Sequence, residues 1–401
     1  MNYSAQEVMQ YAREADVKMI RLAFCDVYGK QKNIVIMPRE LERAFGYGIA
    51  IDASAIAGFG GAVRSDLILH PDPATLTLLP WRPETGKVVR MFCDISYPDG
   101  TPFACDTRWI LKQAVAEALR HGYIFTFGPE MEFYLFKNDS EGEPTKIPYD
   151  RAGYMDIAPD DKGETVRREI CLMMEEMGIL PESSHHEEGP GQNEIDFTYD
   201  YPIHAADNAV TFCQVVKTVA DRNGLCVDFS PKPLSDKAGN GLHINISVKG
   251  EGEGILEHMI AGILKYIKPM TLFLNPTESS YRRLGSFKAP RYISASRGNR
   301  SQLVRIPEAK EPYVRAEVRS PDQGANPYIA FALLIYAGME GIREKLPLVK
   351  GLDQNLFLLS EEDLKDWETI PKSLKEAKEE AAGSDFIKSI LPQSVIDAYL
   401  R

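Results

Sequence analysis

The sequence has few cysteines, no basic excess and no long apolar run, and each absence removes a class of function. Its six cysteines (Cys25, Cys93, Cys105, Cys171, Cys213, Cys226) are scattered through 401 residues without a Cys-x-x-Cys pair. That usage points to reduced thiols in the cytoplasm, and none of the six sits in a context recognisable as a thiol nucleophile. The formal net charge is −12. A nucleic-acid-binding role would need a basic field and is excluded as a main function. No apolar run is long enough to span a bilayer, and the opening MNYSAQEVMQYAREAD has no secretory pattern. Repeats and low-complexity tails are also missing. What remains is ordinary globular composition, 44% hydrophobic and 26% charged, with room for more than one domain.

The chain divides in two on pattern. Residues 17–38 read as two strands about a Tyr28-Gly29-Lys30 turn, followed by a Gly/Ala-rich loop at 46–62 and strands in SDLILHPD and KVVRMFCDISYP. A small β-rich domain is therefore expected over 1–102, with Asp99-Gly100-Thr101-Pro102-Phe103 as the junction. From 103 to 401 helices and polar-faced strands alternate. The first helix carries Ile110, Leu111, Ala114, Val115, Ala118 and Leu119 at helical spacing and stops at Gly122; further helices are expected at 164–177, 205–223, 256–273 and 326–344. Met173 and Met177 in one of these read as core. The Glu/Lys-rich stretch 361–383 reads as a solvated helical surface, and Gly-Glu-Gly-Glu-Gly at 250–254 as a loop too acidic to bind phosphate.

Four strands carry the chemistry. Side chains alternate faces along a strand, so Glu130, Glu132 and Tyr134 share one face while Met131, Phe133 and Leu135 share the other. The same sorting places Glu194 and Asp196 against Ile195 and Phe197. It places His243, Asn245 and Ser247 against Leu242, Ile244 and Ile246, and Arg315, Glu317 and Arg319 against Val314, Ala316 and Val318. Each strand has an apolar face and a face of ligand-type residues, which implies one sheet with a functional open side. With Glu187 added, five glutamates and His243 form a mostly oxygen donor set, suited to Mg²⁺ or Mn²⁺. Six ligands divide into two sites of three and leave positions for water and phosphate oxygens. His185 and His186 read as supports for these ligands. Arginines beside crowded carboxylates imply an anionic third party such as a phosphate. The combination reads as metal-dependent phosphoryl chemistry.

These segments, with Pro98-Asp99-Gly100-Thr101-Pro102-Phe103, Pro231-Lys232-Pro233-Leu234, Asn275-Pro276-Thr277, Asn299-Arg300-Ser301 and Ala325-Asn326-Pro327-Tyr328, resemble glutamine synthetase of the bacterial class I type over nearly the whole chain. The resemblance implies an α+β protein: a β-grasp N-terminal domain and a catalytic domain with a curved, mainly antiparallel sheet. It implies assembly as two stacked hexameric rings, a dodecamer, with sites between neighbouring subunits. It implies that Glu132, Glu187 and Glu194 hold one cation and Glu130, His243 and Glu317 another, with two or three cations per site. Arg283 and Arg319 would grip substrate carboxylates, with Glu132, Gly239 and His243 beside the glutamate. Arg300 would stabilise the phosphoryl group in flight, Arg305 and Arg315 the phosphates of ATP, and Glu182 and Ser247 would contact the nucleoside. Asp52, from the adjacent subunit, would take the ammonium side.

The implied reaction is ATP-dependent ligation of glutamate and ammonium through a γ-glutamyl phosphate. The sequence departs from the family at the amine side. Lys288 stands at the position of the flap glutamate in a turn one residue shorter, Ala55 replaces a serine beside Asp52, Ala238 replaces an asparagine, and Asn245 replaces a histidine near the nucleotide. A γ-glutamyl ligase using another amine, and a catalytically inactive relative, are therefore the alternatives. A carboxylate-binding module without catalysis is a weaker one, since binding alone needs no pair of metals.

Overall fold

The computed structural model describes residues 3–60, 65–82, 85–310, 314–349, 351, 354–360 and 362–401. Among these residues the strands form two sheets. The first contains β1 (Val17–Cys25), β2 (Gln31–Ile36), β3 (Ile49–Asp52), β4 (Asp66–Pro71), β5 (Thr77–Leu78) and β6 (Lys87–Ser96), in the order β2-β1-β6-β4-β3 with β5 also on β6. Helices α1 (Ala5–Glu14) and α2 (Leu41–Tyr47) accompany it. The Gly/Ala-rich stretch is thus not all loop: the sequence Ile49-Ala50-Ile51-Asp52 pairs antiparallel with β4 before the loop begins. Residues 61 and 62 of that stretch lie outside the described residues.

The second sheet uses β7 (Ile124–Asn138), β8 (Pro144–Pro148), β9 (Pro181–His186), β10 (Gln192–Phe197), β11 (Leu225–Asp228), β12 (Leu242–Lys249), β13 (Ala295–Arg297), β14 (Val304–Ile306) and β15 (Ala316–Val318). Its order is β13-β14-β15-β12-β7-β10-β9, with β8 and β11 also on β7, and β13/β14 is the parallel pair. The interleaved helices are α3 (Thr107–Arg120), α4 (Glu164–Glu176), α5 (Pro202–Arg222), α6 (Ile255–Leu274), α7 (Glu278–Arg283), α8 (Pro327–Glu344), α9 (Leu374–Gly383), α10 (Asp385–Ile390) and α11 (Gln393–Leu400). The helices expected from periodicity are present to within a few residues. Residue 361 of the Glu/Lys-rich stretch lies outside the described residues; the described part is helical only over 374–383, where Ala377 and Ala381 turn inward, while Trp367 to Lys372 form bends and a short bridge instead. A division at 102/103, which we propose, falls between β6 and α3.

Strand β7 separates the two faces of this sheet. Its odd-numbered residues Phe125, Phe127, Met131, Phe133 and Leu135 are buried under helices. Phe127 stacks on Phe331 of α8 at 4.2 Å and Phe133 meets Phe212 of α5 edge-on at 6.0 Å. The even-numbered residues turn to the other face, where Tyr134 and Phe136 are also buried.

Two features bind the layers. Helices α6 and α8 cross at paired glycines: a Cβ on Gly262 would lie 2.1 Å from the Ala337 carbonyl oxygen, and one on Gly341 2.1 Å from that of His258. Neither neighbour is a side chain that can swing away. Gly262→Ala is expected to cost about 1–3 kcal/mol of stability, measured by denaturant unfolding. The second feature is Arg108, at the start of α3 and 4% exposed. It donates Nε and Nη2 to the two oxygens of Asp207 at 3.1 Å each, Nη1 to Asp94 at 2.8 Å and Nη2 to Asp72 at 2.9 Å. Asp72 and Asp94 belong to the first sheet's region and Asp207 to α5, so one guanidinium joins the two units.

Candidate active site

Strand register builds the site. In the β7/β12 and β7/β10 ladders, Glu130 lies opposite both His243 and Asp196, and Glu132 opposite Glu194. One strand further, Glu317 on β15 faces Asn245 on β12 and Arg305 on β14. Directly opposed residues point to the same face, so one open surface collects Glu130, Glu132, Glu194, Asp196, His243, Asn245, Glu317 and Arg305. The sorting by strand faces holds, although β15 is short and Arg315 and Arg319 flank it rather than lie in it.

Three groups of donors emerge on this surface. Glu130, His243 and Glu317 each offer an atom within 4.8 Å of the others; so do His185, Glu187 and Glu194; and so do Glu130, Glu194 and Asp196. The first is one of the two sets implied by the resemblance. In the second, His185 stands with Glu187 and Glu194. Glu132 instead accepts from Gln192 Nε2 and from the Gly241 amide, both at 3.0 Å, and lies 3.9 Å from His243 Nε2. The reason is register: β9 places His185 opposite Glu194, and its Nε2 reaches Glu187 at 2.9 Å. A fourth group, Asp150, Asp161 and His186, is fully buried. There His186 Nε2 pairs with Asp150 at 2.9 Å, while the Asp150 carboxylate accepts the Lys162, Gly163 and Gly191 amides. That knot supports the segment carrying Glu187.

The carboxylates compete for the available positive charge. Burial raises the Glu194 pKa, and Glu132, Asp196, Glu130 and Glu187 push it further, well above the ordinary value. Burial also raises Glu132 and Asp196. For Glu130 burial is outweighed by the His243 and Asn245 hydrogen bonds and by Arg319, and its pKa ends below the ordinary range. For Glu187 the His185 bond similarly wins over burial. Some carboxylates here are held as anions while their neighbours resist ionisation. Divalent cations with oxygen preference fit such a set, because they relieve the repulsion that burial amplifies.

Arginines ring the cluster. Glu317, with no exposed surface, accepts from Arg305 Nη1 at 2.8 Å and from Arg319 Nη1. Arg283 is buried and donates to the Ser320 carbonyl at 2.8 Å and the Arg319 carbonyl at 3.3 Å. Its pKa is lowered by that burial. Arg315 donates Nε to Asn245 Oδ1 at 3.1 Å and lies over the Tyr199 ring. Arg300 is exposed in the turn after β13. Gly239 has no room for a side chain, since a Cβ would meet the Pro231 carbonyl oxygen at 2.2 Å. Ser247 bonds Thr126 across β12/β7 at 2.7 Å, and Glu182 is exposed on β9.

Asp52 is not brought to this cluster. It is exposed at the end of the outer strand β3, its carboxylate accepting the Ser54 amide at 2.9 Å. That hydrogen bond, with those of the Ser54 and Ser65 side chains, lowers its pKa. Ala238 contributes its carbonyl to the Tyr134 hydroxyl at 2.6 Å. Sequence reasoning missed Glu188 and Tyr154, both of which touch Lys288: Glu188 Oε1 lies 2.5 Å from Lys288 Nζ, and the Tyr154 ring 5.1 Å. The doubled Glu187-Glu188 was the available signal.

Fold and site together define an α+β protein with a carboxylate- and arginine-lined catalytic sheet. The family model "Glutamine synthetase, catalytic domain" matches residues 104–401, and "Glutamine synthetase, beta-Grasp domain" matches 16–98. A glutamine synthetase of Methanosarcina mazei is 42% identical, over 98% of this chain and 92% of that protein. One of Clostridium saccharobutylicum is 39% identical, over 99% and 94%. A solved structure described as "GmaS/ADP complex-Conformation 1" superposes with a TM-score of 0.88 at 28% identity, over 100% of this chain and 94% of that one. The chain belongs to the glutamine synthetase family.

Proposed function

We propose that the protein is an ATP-dependent glutamate–ammonia ligase, forming glutamine through a γ-glutamyl phosphate. The observation that carries the reading is the Glu130–His243–Glu317 group with Arg305 and Arg319 bonded to its buried glutamate. A carboxylate is a poor electrophile toward an amine, and phosphorylation gives it a leaving group.

In this reading Glu130, His243 and Glu317 would hold one cation, and Glu187 and Glu194, with Glu132 or His185, would hold another. When bound, Mg²⁺ or Mn²⁺ would neutralise negative charge on the transferring phosphates of ATP. Arg305 and Arg315 bind nucleotide phosphates, and Arg300, free to swing from its exposed turn, meets the transferring phosphoryl group. Arg283, fixed by two carbonyls, and Arg319 orient the glutamate carboxylates, while the tight backbone at Gly239 lets the amino acid approach. Glu182 and Ser247 face the nucleoside. Ring assembly belongs to the same proposal: an exposed Asp52 can serve a neighbouring subunit's ammonium side. The free cysteines support a reducing, cytoplasmic setting.

The test is direct. With ATP, Mg²⁺, glutamate and ammonium, the protein is expected to form glutamine and phosphate in equal amounts. Phosphate release coupled only to a different amine would overturn the choice of ammonium. Chelation is expected to abolish turnover and lower the melting temperature. Readdition of cation at ~100 times its dissociation constant restores roughly 2.7 kcal/mol.

A further inference from the structure

The turn that follows α7 is tightly built. Ser286 N donates to the Arg283 carbonyl, Gly285 N to Ala289 and Ala289 N to Ser286, all at 3.0–3.1 Å. Gly285 and Phe287 take positive φ. Arg291 caps the Leu284 carbonyl at 2.8 Å, and Lys232 Nζ sits 4.3 Å from the Phe287 ring. The turn begins at Arg283, so its position is tied to a residue of the site.

From this turn Lys288 reaches out to two other segments. Its Nζ lies 2.5 Å from Glu188 Oε1 and 5.1 Å from the centre of the Tyr154 ring. Glu188 follows Glu187 directly, and its amide donates to Glu187 Oε2 at 3.0 Å. Tyr154 meets His185 edge-on at 5.4 Å, and His185 Nε2 bonds Glu187 Oε1. One ammonium group therefore links the 284–290 turn, the Tyr154 segment and the hairpin that carries Glu187.

We propose that Lys288 and Glu188 form a latch: a positioning pair that holds the 284–290 turn against Glu187 and closes the site to water while the acyl phosphate awaits its amine. The proposal rests on the ligase reading for its consequence and on the three-segment contact for its existence. The Lys288 and Glu188 side chains are 57% and 32% exposed. A pair this open to solvent contributes little to overall stability and can break in each catalytic cycle, which suits a closure rather than a structural rivet. When the latch is open, water takes the place of the amine. Its oxygen bonds to the acyl carbon, the bond from that carbon to the phosphate oxygen breaks, and glutamate, inorganic phosphate and a proton are released.

The test uses charge reversal. Lys288→Glu faces Glu188 with a like charge, and Glu188→Lys does the same to Lys288; the double swap restores an opposite pair. Hydrogen exchange of the Gly285 and Ala289 amides, without substrates, is expected to accelerate about three- to tenfold in each single variant and to recover in the double. Phosphate release from ATP and glutamate without amine is expected to rise by a similar factor in the singles, with KM for the amine raised more than kcat falls. Exchange unchanged in the singles, or not repaired in the double, overturns the latch. A wild-type protein with the expected exchange behaviour that joins no amine to glutamate overturns the ligase reading instead.

Discussion

Glu317→Gln is expected to reduce ligase turnover on the order of 10²–10³-fold at saturating ATP, glutamate, ammonium and Mg²⁺. The carboxylate has no exposed surface. One oxygen accepts from Arg305 at 2.8 Å, and the other accepts from Arg319 and lies 3.7 Å from His243 Nδ1. Glutamine keeps the shape but loses the charge, and whichever end carries its NH₂ meets an arginine donor rather than an acceptor. The site then loses an anionic ligand, and both arginines gain freedom to leave the positions from which they would meet phosphate and substrate carboxylate. Steady-state kinetics across a Mg²⁺ series check this, with thermal melting as the folding control. Turnover within about threefold of wild type in a folded variant would remove Glu317 from the proposed machinery.

Arg108→Ala is expected to cost about 3–5 kcal/mol of stability, the range for breaking a buried ion pair on one side. Asp207, Asp94 and Asp72 all depend on this guanidinium, and Tyr328 donates its hydroxyl to Asp207 at 2.6 Å in the same knot. Without Arg108, the Tyr328 hydroxyl is the remaining side-chain hydrogen bond to the buried Asp207 carboxylate among the described residues, with the Arg90 charge nearby but not bonded to it. The loss also falls on the connection between the sheets, so both units are expected to unfold earlier and together in denaturant followed by two probes. A loss below about 1 kcal/mol would show that water or Lys112, 2.6 Å from Asp94, takes over the role.

The open face of the catalytic sheet was legible because alternation is a local property: Glu130/Glu132, Glu194/Asp196 and His243/Asn245 had to share faces wherever their strands lay. Partnership across strands was not. Nothing in the Glu132 segment says that Gln192 and the Gly241 amide will both bond one of its oxygens, or that the register of β9 will bring His185 to Glu187 and Glu194. Arg108 reads from sequence as one more basic residue near a helix start; its three aspartates lie 14 to 99 residues away. The stretch at 361–383 departs from the expected helix over most of its described length because a Glu/Lys-rich composition alone does not supply an apolar stripe. That stripe returns only with Ala377 and Ala381.

Strand β7 borders β12, β10, β11 and β8. Glu130 and Glu132 sit at its middle, where both edges are paired. Amides in such a place open only with the last cooperative unit of a protein. Heating should therefore disturb the turns that carry Lys288 and Arg300 before it moves the carboxylates. A preparation warmed below its melting point would first waste ATP, then stop. The decline of coupling, measured as phosphate formed per product, would act as an early thermometer for a site whose foundation is still whole.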